Sequence, residues 1–349
     1  MNNALSHTLG RQKWIDVAKG IGLILVVIGH SNPPDWLKLI ISSFHMPLFF
    51  FLSGYVYHER IYNNTHHYAT RLKKDFVRLI IPYLITVLLI GFFLQIIQSQ
   101  GKTGYYDSIA DLCKSALFGS GSSFNDIKLI GEIWFLLAMF WARRIMDALF
   151  LCANKSYRLI MMFSIVGIGI ALAANGAWVP MNIDIAFVAV CFLYTGWIIQ
   201  RHSELIDNAP FLFLLVLLSI TSLSTSRFGM SSRNYYNLWF ISIPGAIALS
   251  ILTSKASKLL CKFKGLCSFL AYTGKHSLLF FCIHSLDWRM PFSKPGQALV
   301  SKYHEYSWSW ALSSIHRFFF DLLLTLIIWN GLTFLQRVIS KIKDSKATR

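Results

Sequence analysis

Ionisable side chains inside long apolar stretches are the residues of this chain that could do chemistry. Lys19 and His30 stand eleven positions apart in the first such stretch, and Asp16 precedes Lys19 by three. At about 100° per residue, a helix brings Lys19 and His30 to within about 20° of one face, about 16 Å apart along its axis. Asp16 can form an ion pair with Lys19. An imidazole titrates near neutral pH and therefore suits proton transfer.

Each of these residues also has a purely structural explanation. Asp16 and Lys19 could be an interfacial pair whose long side chain reaches back to water, and His30 could be bonded to a loop. An ionised group at the centre of a span costs about 2.5–3.5 kcal/mol on insertion scales. Because all three share one face, we favour a lined cavity. Gly20 and Gly22 on the same helix allow a neighbour or ligand to approach closely.

Further polar residues are expected near His30. The loop from His30 to Asp35 is short, so the first two stretches should form a tight hairpin with His45 toward the same end. His45 could line the cavity or pack as a satisfied core histidine, and both interpretations stay open. Glu132, at the start of the fourth stretch, could orient a histidine or a sugar hydroxyl. Its neighbour Trp134 could be only an interfacial aromatic residue.

A basic segment precedes the third apolar stretch. It contains Arg71, Lys73, Lys74 and Arg78. Such a segment usually contacts lipid headgroups, and it could equally hold the phosphates of a nucleotide. Arg78 is the deepest of these cations and the best placed for bidentate contact with a phosphate.

A membrane-spanning scaffold is needed to position these residues. Of the 349 residues, 55% are hydrophobic and 14% are charged, whereas soluble domains have roughly 25% charged residues. The composition predicts an all-α polytopic integral membrane protein embedded in the lipid bilayer. A span needs about 20 mostly apolar residues. About ten stretches qualify, near 14–31, 37–57, 77–98, 130–150, 158–174, 182–200, 210–225, 238–254, 266–285 and 312–336.

The positive charge indicates orientation rather than nucleic-acid binding. The chain has 33 Lys+Arg against 16 Asp+Glu, a formal net charge of +17, and the excess lies in short loops. Most of these cations fall at the two chain ends and in every second loop. The positive-inside rule therefore predicts cytoplasmic N and C termini. This distribution argues against nucleic acid as a partner.

The loops and cysteines narrow the prediction further. Two outer loops, about 99–129 and 286–311, are longer than a hairpin needs and are candidate caps over a substrate. The ninth stretch is interrupted at residues 274–276. The six cysteines show no C-x-x-C spacing, which argues against a zinc site and a structural disulfide. No metal site is predicted.

Five sequence blocks, taken in order, resemble the membrane acyltransferase family 3, whose members O-acylate surface glycans. Apolar helices look alike, so the specificity comes from the order of the blocks. The resemblance covers nearly the whole chain and is nearest to short bacterial polysaccharide O-acetyltransferases, including the fucose-acetylating type. The blocks are DVAKGIGLILVVIGH at 16–30, FHMPLFFFLSGY at 44–55, RLIIPY at 78–83, WFL at 134–136 and GKHSLLFFCIH at 274–284.

The resemblance implies a function and a set of site residues. It implies one membrane acyltransferase domain over 1–349 in the bacterial inner membrane, with acetyl-CoA as the cytoplasmic acyl donor. The acceptor would be a hydroxyl of a surface-glycan sugar or its lipid-linked precursor. We assign donor binding to Lys19, Arg78 and Asp16, catalysis to His30, His45 and Glu132, and acceptor binding to Trp134, Ser53 and His284. His284 could instead be bonded to a loop near its helix end.

Two departures from the family pattern affect this expectation. Lys19 stands where the family more commonly has Arg, which keeps the charge but loses bidentate phosphate geometry. We also expect no esterase-like domain of the kind that some members carry at the C-terminal end. Transfer would then be completed by the membrane domain alone.

Two other classes of protein stay open at this point. A transporter or flippase of lipid-linked glycan or small solute would also place ionisable residues inside about ten spans, although no inverted repeat is apparent. A scaffold within a polysaccharide assembly complex would tolerate replacement of the histidines. Consumption of acyl-CoA by the purified protein separates an enzyme from both.

Overall fold

The structure is a computed structural model that describes residues 12–58, 65–101, 104–123, 126–152, 154–289 and 308–347. These residues form helices with no named strand among them, which confirms the predicted all-α class. A π-helical turn, Phe76–Ile80, joins the third and fourth helices. The helices are α1 (Lys13–Gly29), α2 (Asp35–Tyr55), α3 (Thr65–Asp75), α4 (Ile81–Ser99), α5 (Ile109–Phe118), α6 (Trp134–Cys152), α7 (Lys155–Ala174), α8 (Ile183–Arg201), α9 (Ala209–Thr225), α10 (Trp239–Leu260), α11 (Lys264–Lys275), α12 (Ser277–Arg289) and α13 (Ser309–Ala347).

Every predicted span coincides with a helix or a bent pair of helices, but fewer pass a strict test of length and apolarity. In the described part of the chain, six helices are long and apolar enough to cross a membrane, or seven if α11 and α12 count together. Helices α1 and α9 have 17 residues each, and α6 contains Arg143, Arg144 and Asp147. The polytopic membrane architecture is confirmed, while ten spans and cytoplasmic termini stay predictions.

Helix α1 lies inside the bundle and packs against α2, α10 and α11. The contact with α11 brings backbone against backbone. A Cβ atom on Gly20 would overlap the carbonyl oxygen of Leu270, and a Cβ on Gly274 would overlap that of Asp16. The predicted close approach at Gly20 is therefore confirmed. Since most of the buried residues of α1 are apolar, its few polar side chains stand out against their surroundings.

Two irregularities bring polar side chains into the bundle. The π-helical turn between α3 and α4 carries Arg78, and such turns within helices are frequent at functional sites. Helices α11 and α12 meet at an angle of 71°. This break falls at the predicted interruption around Lys275 and His276.

A buried ion-pair network ties α3 and α6 to the segment that follows α2. Asp75 pairs with Arg144, which also lies 2.9 Å from the Oδ2 atom of Asp147. The Oδ1 atom of Asp147 lies 3.3 Å from Nη1 of Arg71 and accepts a 2.8 Å hydrogen bond from the hydroxyl of Tyr57. Buried charges are tolerated when they are paired in this way.

Two loops, around 119–123 and 229–233, are held together by contacts of a second buried cation. Arg233 is 2% exposed, pairs with Asp184 and lies 3.5 Å from the ring centroid of Trp178. Ser120 donates a 2.6 Å hydrogen bond to the carbonyl of Ser231. These contacts join the glycine- and serine-rich turn at 119–123 to the loop around 229–233. The predicted outer loop at 286–311 lies mostly outside the described residues.

Candidate active site

A cavity of about 430 Å³ lies at the end of α1 that carries His30. We call it the His30 cavity. Its walls come from α1, α2, the turn before α6 and the loops around 121–122 and 229–231. The polar and small lining residues include His30, His45, Glu132, Ser122 and Ser231. The structure thus brings together three residues that the sequence predicted for catalysis.

His30 is held by contacts to its side chain and its backbone. Its Nε2 atom lies 3.0 Å from Oε1 of Glu132, a carboxylate that is 6% exposed. Ser285 donates a 3.2 Å hydrogen bond to the other oxygen of Glu132. Arg317 donates a 3.1 Å hydrogen bond to the carbonyl of His30 and lies 3.4 Å from a carboxylate oxygen of Asp287. The predicted orienting role of Glu132 therefore has the required geometry.

His284 lies beside His30 and is fully buried. Their ring centroids are 5.8 Å apart. The Nδ1 atom of His284 lies 2.7 Å from Oδ2 of Asp321 on α13, so the interpretation of His284 as a loop-bonded residue was wrong. Its Nε2 atom has no hydrogen-bond partner within the described residues. A buried polar nitrogen of this kind indicates a place for a substrate or water hydrogen bond.

The other two predicted residues of this cavity have simpler surroundings. The Nδ1 atom of His45 donates a 2.6 Å hydrogen bond to the carbonyl of Ile41, one turn earlier in α2. His45 is thus a satisfied histidine that also faces the cavity. Trp134 lines the same cavity and is 2% exposed. A Cβ atom on Gly121 would lie 2.9 Å from the indole nitrogen of Trp134, so the glycine lets the loop pass close to the ring.

A second pocket, of about 470 Å³, lies toward the opposite end of α1. We call it the Lys19 pocket. Its cationic lining residues are Lys19, Arg78 and Lys275, and Asp16 contributes a carboxylate. The Nζ atom of Lys19 lies 3.7 Å from Oδ1 of Asp16, as the spacing predicted. Trp329 adds an aromatic wall. Three cations beside an aromatic ring suit a ligand that carries phosphates and a planar base.

A narrower space of about 130 Å³ continues from the Lys19 pocket into the bundle. We call it the Ser53 channel. It shares Lys19, Arg78 and Ser277 with the Lys19 pocket, and its other lining residues are mostly apolar, except Ser53, Asp75 and Arg143. Ser53 accepts a 3.0 Å hydrogen bond from Nη1 of Arg143, whose Nε donates to Asp75. Ser53 therefore lies on the Lys19 side and does not line the His30 cavity.

Sequence reasoning missed Asp321, Arg317 and Ser285. Asp321 is fully buried and lies inside the last predicted span, where an acidic residue is costly. That cost is the signal that could have identified it. The contact of Arg317 with His30 joins residues 287 positions apart, and nothing in the sequence pairs them.

Metal and disulfide chemistry have no obvious centre in the described part of the chain. No three His, Cys, Asp or Glu side chains gather there in a way that could hold a metal ion. The cysteines that the structure describes in full are free thiols, Cys113, Cys191, Cys261, Cys267 and Cys282.

The fold and the site together define a class: a polytopic helical membrane protein with two neighbouring histidine–carboxylate pairs. Comparison with family models then identifies the group within that class. The model of acyltransferase family 3, described as an acyltransferase domain, matches residues 12–335, nearly the whole chain. The chain belongs to this family and is a membrane acyltransferase. No curated protein and no solved structure matched it.

Proposed function

We propose that this protein is an integral membrane O-acetyltransferase of the bacterial inner membrane. It takes acetyl from cytoplasmic acetyl-CoA and transfers it to a hydroxyl of a surface-glycan sugar or its lipid-linked precursor. One observation carries the proposal. In a chain of an acyltransferase family, a single helix has a cationic pocket at Lys19 and a histidine–glutamate pair at His30.

The charge of the Lys19 pocket supports coenzyme A as the carrier of the acyl donor. Cations outnumber carboxylates among its lining residues, which favours the phosphates of coenzyme A. The pocket continues into the Ser53 channel, which points a thioester toward the His30 end of α1. The axial distance from Lys19 to His30 is about 16 Å, a span that an extended chain of pantetheine type can cross.

His30 would serve as the general base. When its Nε2–H is donated to Glu132, the Nδ1 atom of the neutral ring is an acceptor and can take the proton of the acceptor hydroxyl. The alcohol oxygen attacks the carbonyl carbon of the thioester, the C–S bond breaks, and the proton passes to the departing thiolate. A two-step route through acetyl-His30 would use the same residues.

The first test replaces His30 by Ala in a deletion strain and measures acetylation of the surface glycans by mass spectrometry. We expect the acetylation rate to fall by about 10²–10⁴-fold, the usual contribution of a positioned acid–base group. His202→Ala is the matched control, since that histidine is exposed and pairs with Glu204. Full acetylation by an inserted His30→Ala protein would overturn the assignment.

The second test concerns the donor and uses purified protein with acetyl-CoA. Lys19→Ala should weaken acetyl-CoA binding by about tenfold or more, because a charge-assisted hydrogen bond is lost. Lys19→Arg should retain the affinity, and Lys128→Ala, on the outer surface, serves as control. Unchanged affinity in Lys19→Ala would remove its role with the phosphates. A protein that never consumes acetyl-CoA would favour a transporter.

A further inference from the structure

Two internal spaces lie end to end along α1. Among the described residues, the Ser53 channel and the His30 cavity have no lining residue in common. On α1 the channel reaches Leu23 and the cavity begins at Val26, a separation of about 4.5 Å along the helix. On α6 the adjacent residues Phe135 and Trp134 line the channel and the cavity respectively.

Phenyl rings lie where the Ser53 channel approaches the His30 cavity, and Phe49, Phe135 and Phe281 line the channel there. The ring centroid of Phe135 lies 5.7 Å from that of Phe49, 5.0 Å from that of Phe50 and 5.6 Å from that of Phe281. Gly22 makes room for this layer, because a Cβ atom there would lie 2.8 Å from the tip of Phe49. We call the four rings the aromatic partition. Phe135 is its centre, since it contacts the other three.

This layer has a chemical consequence in the proposed reaction. Water and a sugar hydroxyl attack a thioester in the same way, so water competes with the acceptor whenever the acetyl group enters the polar cavity. The water oxygen would bond to the carbonyl carbon, the C–S bond would break, and the products would be acetate and the thiol of coenzyme A. Phenyl rings offer water no strong hydrogen bonds, so a closed ring layer keeps the water of the His30 cavity away from the thioester.

We propose that the aromatic partition selects against water as acceptor, and that Phe135 is its specificity-determining residue. The rings hold the acetyl group in the Ser53 channel and admit it to His30 only when they move apart. This inference rests on the proposed acyltransferase reaction. It assigns to the partition the choice between transfer and hydrolysis.

The kinetic test uses Phe135→Ala protein purified in detergent, with acetyl-CoA and without any glycan acceptor. Release of coenzyme A thiol should be several-fold faster than in the wild type, because the shortened side chain joins the two spaces. The rate of thiol release by Phe135→Leu should lie between those of the wild type and Phe135→Ala. Adding His30→Ala should remove the gain, since water needs the same base. An unchanged rate in folded Phe135→Ala protein would overturn the proposal.

A matched control separates the partition from a general loss of packing. Phe140 lies on the same helix, is 7% exposed and lines neither the channel nor the cavity. Phe140→Ala should lower thermal stability to a similar extent, because it also removes a buried phenyl group, without faster hydrolysis. Equal acceleration in both variants would refute a special role for Phe135.

A second measurement does not depend on catalysis. Met46 lines the His30 cavity, and Met139 lines the Ser53 channel. In proteoliposomes of the otherwise wild-type chain, a small charged methanethiosulfonate reagent should label Met46→Cys and Met139→Cys from opposite faces. In Phe135→Ala protein, Met139→Cys should react from both faces. If Met139→Cys with Phe135 intact is labelled from the His30 side, the partition is refuted. This outcome does not depend on whether Phe135→Ala folds.

The two measurements distinguish failure of the partition from failure of the proposed function. If labelling is one-sided but acetyl-CoA is never consumed, the acyltransferase proposal fails. If acetyl-CoA is consumed but reagent crosses the wild-type protein, the partition fails. The chain without added cysteine gives the background, which should be low at Cys261 because burial raises the pKa of its thiol to about 11.

Discussion

Each histidine of the candidate site has one ring nitrogen fixed by a partner. Glu132 fixes Nε2 of His30, Asp321 fixes Nδ1 of His284, and a backbone carbonyl fixes Nδ1 of His45. A fixed nitrogen sets the orientation of the ring and the tautomer of its neutral form. Carboxylate partners also stabilise an imidazolium, whereas a carbonyl does so less strongly. The geometry therefore ranks His30 and His284 above His45 for proton transfer.

Replacing Glu132 by Gln should separate its effect on His30 from any effect on the binding of acetyl-CoA. The substitution keeps the size of the side chain but removes the charge that stabilises protonated His30. We expect kcat to fall by about a hundredfold, the low end for a positioned acid–base group, with KM for acetyl-CoA unchanged. Steady-state kinetics would check this. The kcat of Ser285→Ala should fall less than that of Glu132→Gln. If Glu132→Gln changed only KM, the role of Glu132 in stabilising protonated His30 would be contradicted.

Individual residues of the site could be predicted where an ionisable side chain lies inside an apolar stretch, because its insertion into the membrane costs free energy. Lys19, Asp16 and His30 stand out because each is ionisable within an apolar stretch, and their common face follows from helical periodicity. The partner of His284 could not be predicted, because Asp321 belongs to another helix and sequence does not say which helices are neighbours. The position of Ser53 on the Lys19 side has the same explanation.

At the scale of elements, the contact between α1 and α11 sets the shape of the Lys19 pocket. Gly274 lies against the backbone of Asp16, and both residues line that pocket. The chain bends by 71° between α11 and α12, immediately after Gly274 and Lys275. Its location could be predicted from the polar interruption at 274–276. The angle could not, because it depends on how α1 and α13 pack around it.

The two glycines of α11 provide a matched test of this contact. Gly274→Ala would place a Cβ against a backbone carbonyl, whereas a Cβ on Gly265 would meet nothing within 4 Å. Gly274→Ala should lower the thermal unfolding temperature in detergent and weaken acetyl-CoA binding. Gly265→Ala should leave both unchanged or raise stability by up to about 1 kcal/mol through helix propensity. Equal effects of the two substitutions would contradict close backbone packing.

At the scale of the whole molecule, a buried charge network connects helices that are distant in sequence. Asp147 is fully buried and contacts Arg71, Arg144 and Tyr57, which come from three separate segments. Composition predicts a membrane protein and its apolar stretches, but not such a network. The sequence places Arg71 in a basic segment for lipid headgroups or phosphates, because nothing in the sequence pairs it with Asp147 on another helix.

Asp147→Asn tests how much of the bundle depends on this network. The substitution leaves two buried guanidinium groups without their shared carboxylate, and breaking a buried pair costs about 3–5 kcal/mol. We expect a large drop in thermal stability, measured by the fraction of monodisperse protein left after heating in detergent. Asp107→Asn, in an exposed pair with Lys128, should change stability by no more than about 1 kcal/mol. Similar melting of both variants would contradict the prediction.

The hydrogen bond from Arg317 to His30 has a consequence for how the protein is made. The two residues are 287 positions apart, and Asp321 follows Arg317 by one helical turn on α13. During synthesis, α1 with His30 enters the membrane long before α13 exists. The two contacts from α13, Arg317 with His30 and Asp321 with His284, therefore form last. Until that helix is inserted, the backbone carbonyl of His30 and the ring of His284 lack these two partners, so the proposed chemistry begins only after its insertion.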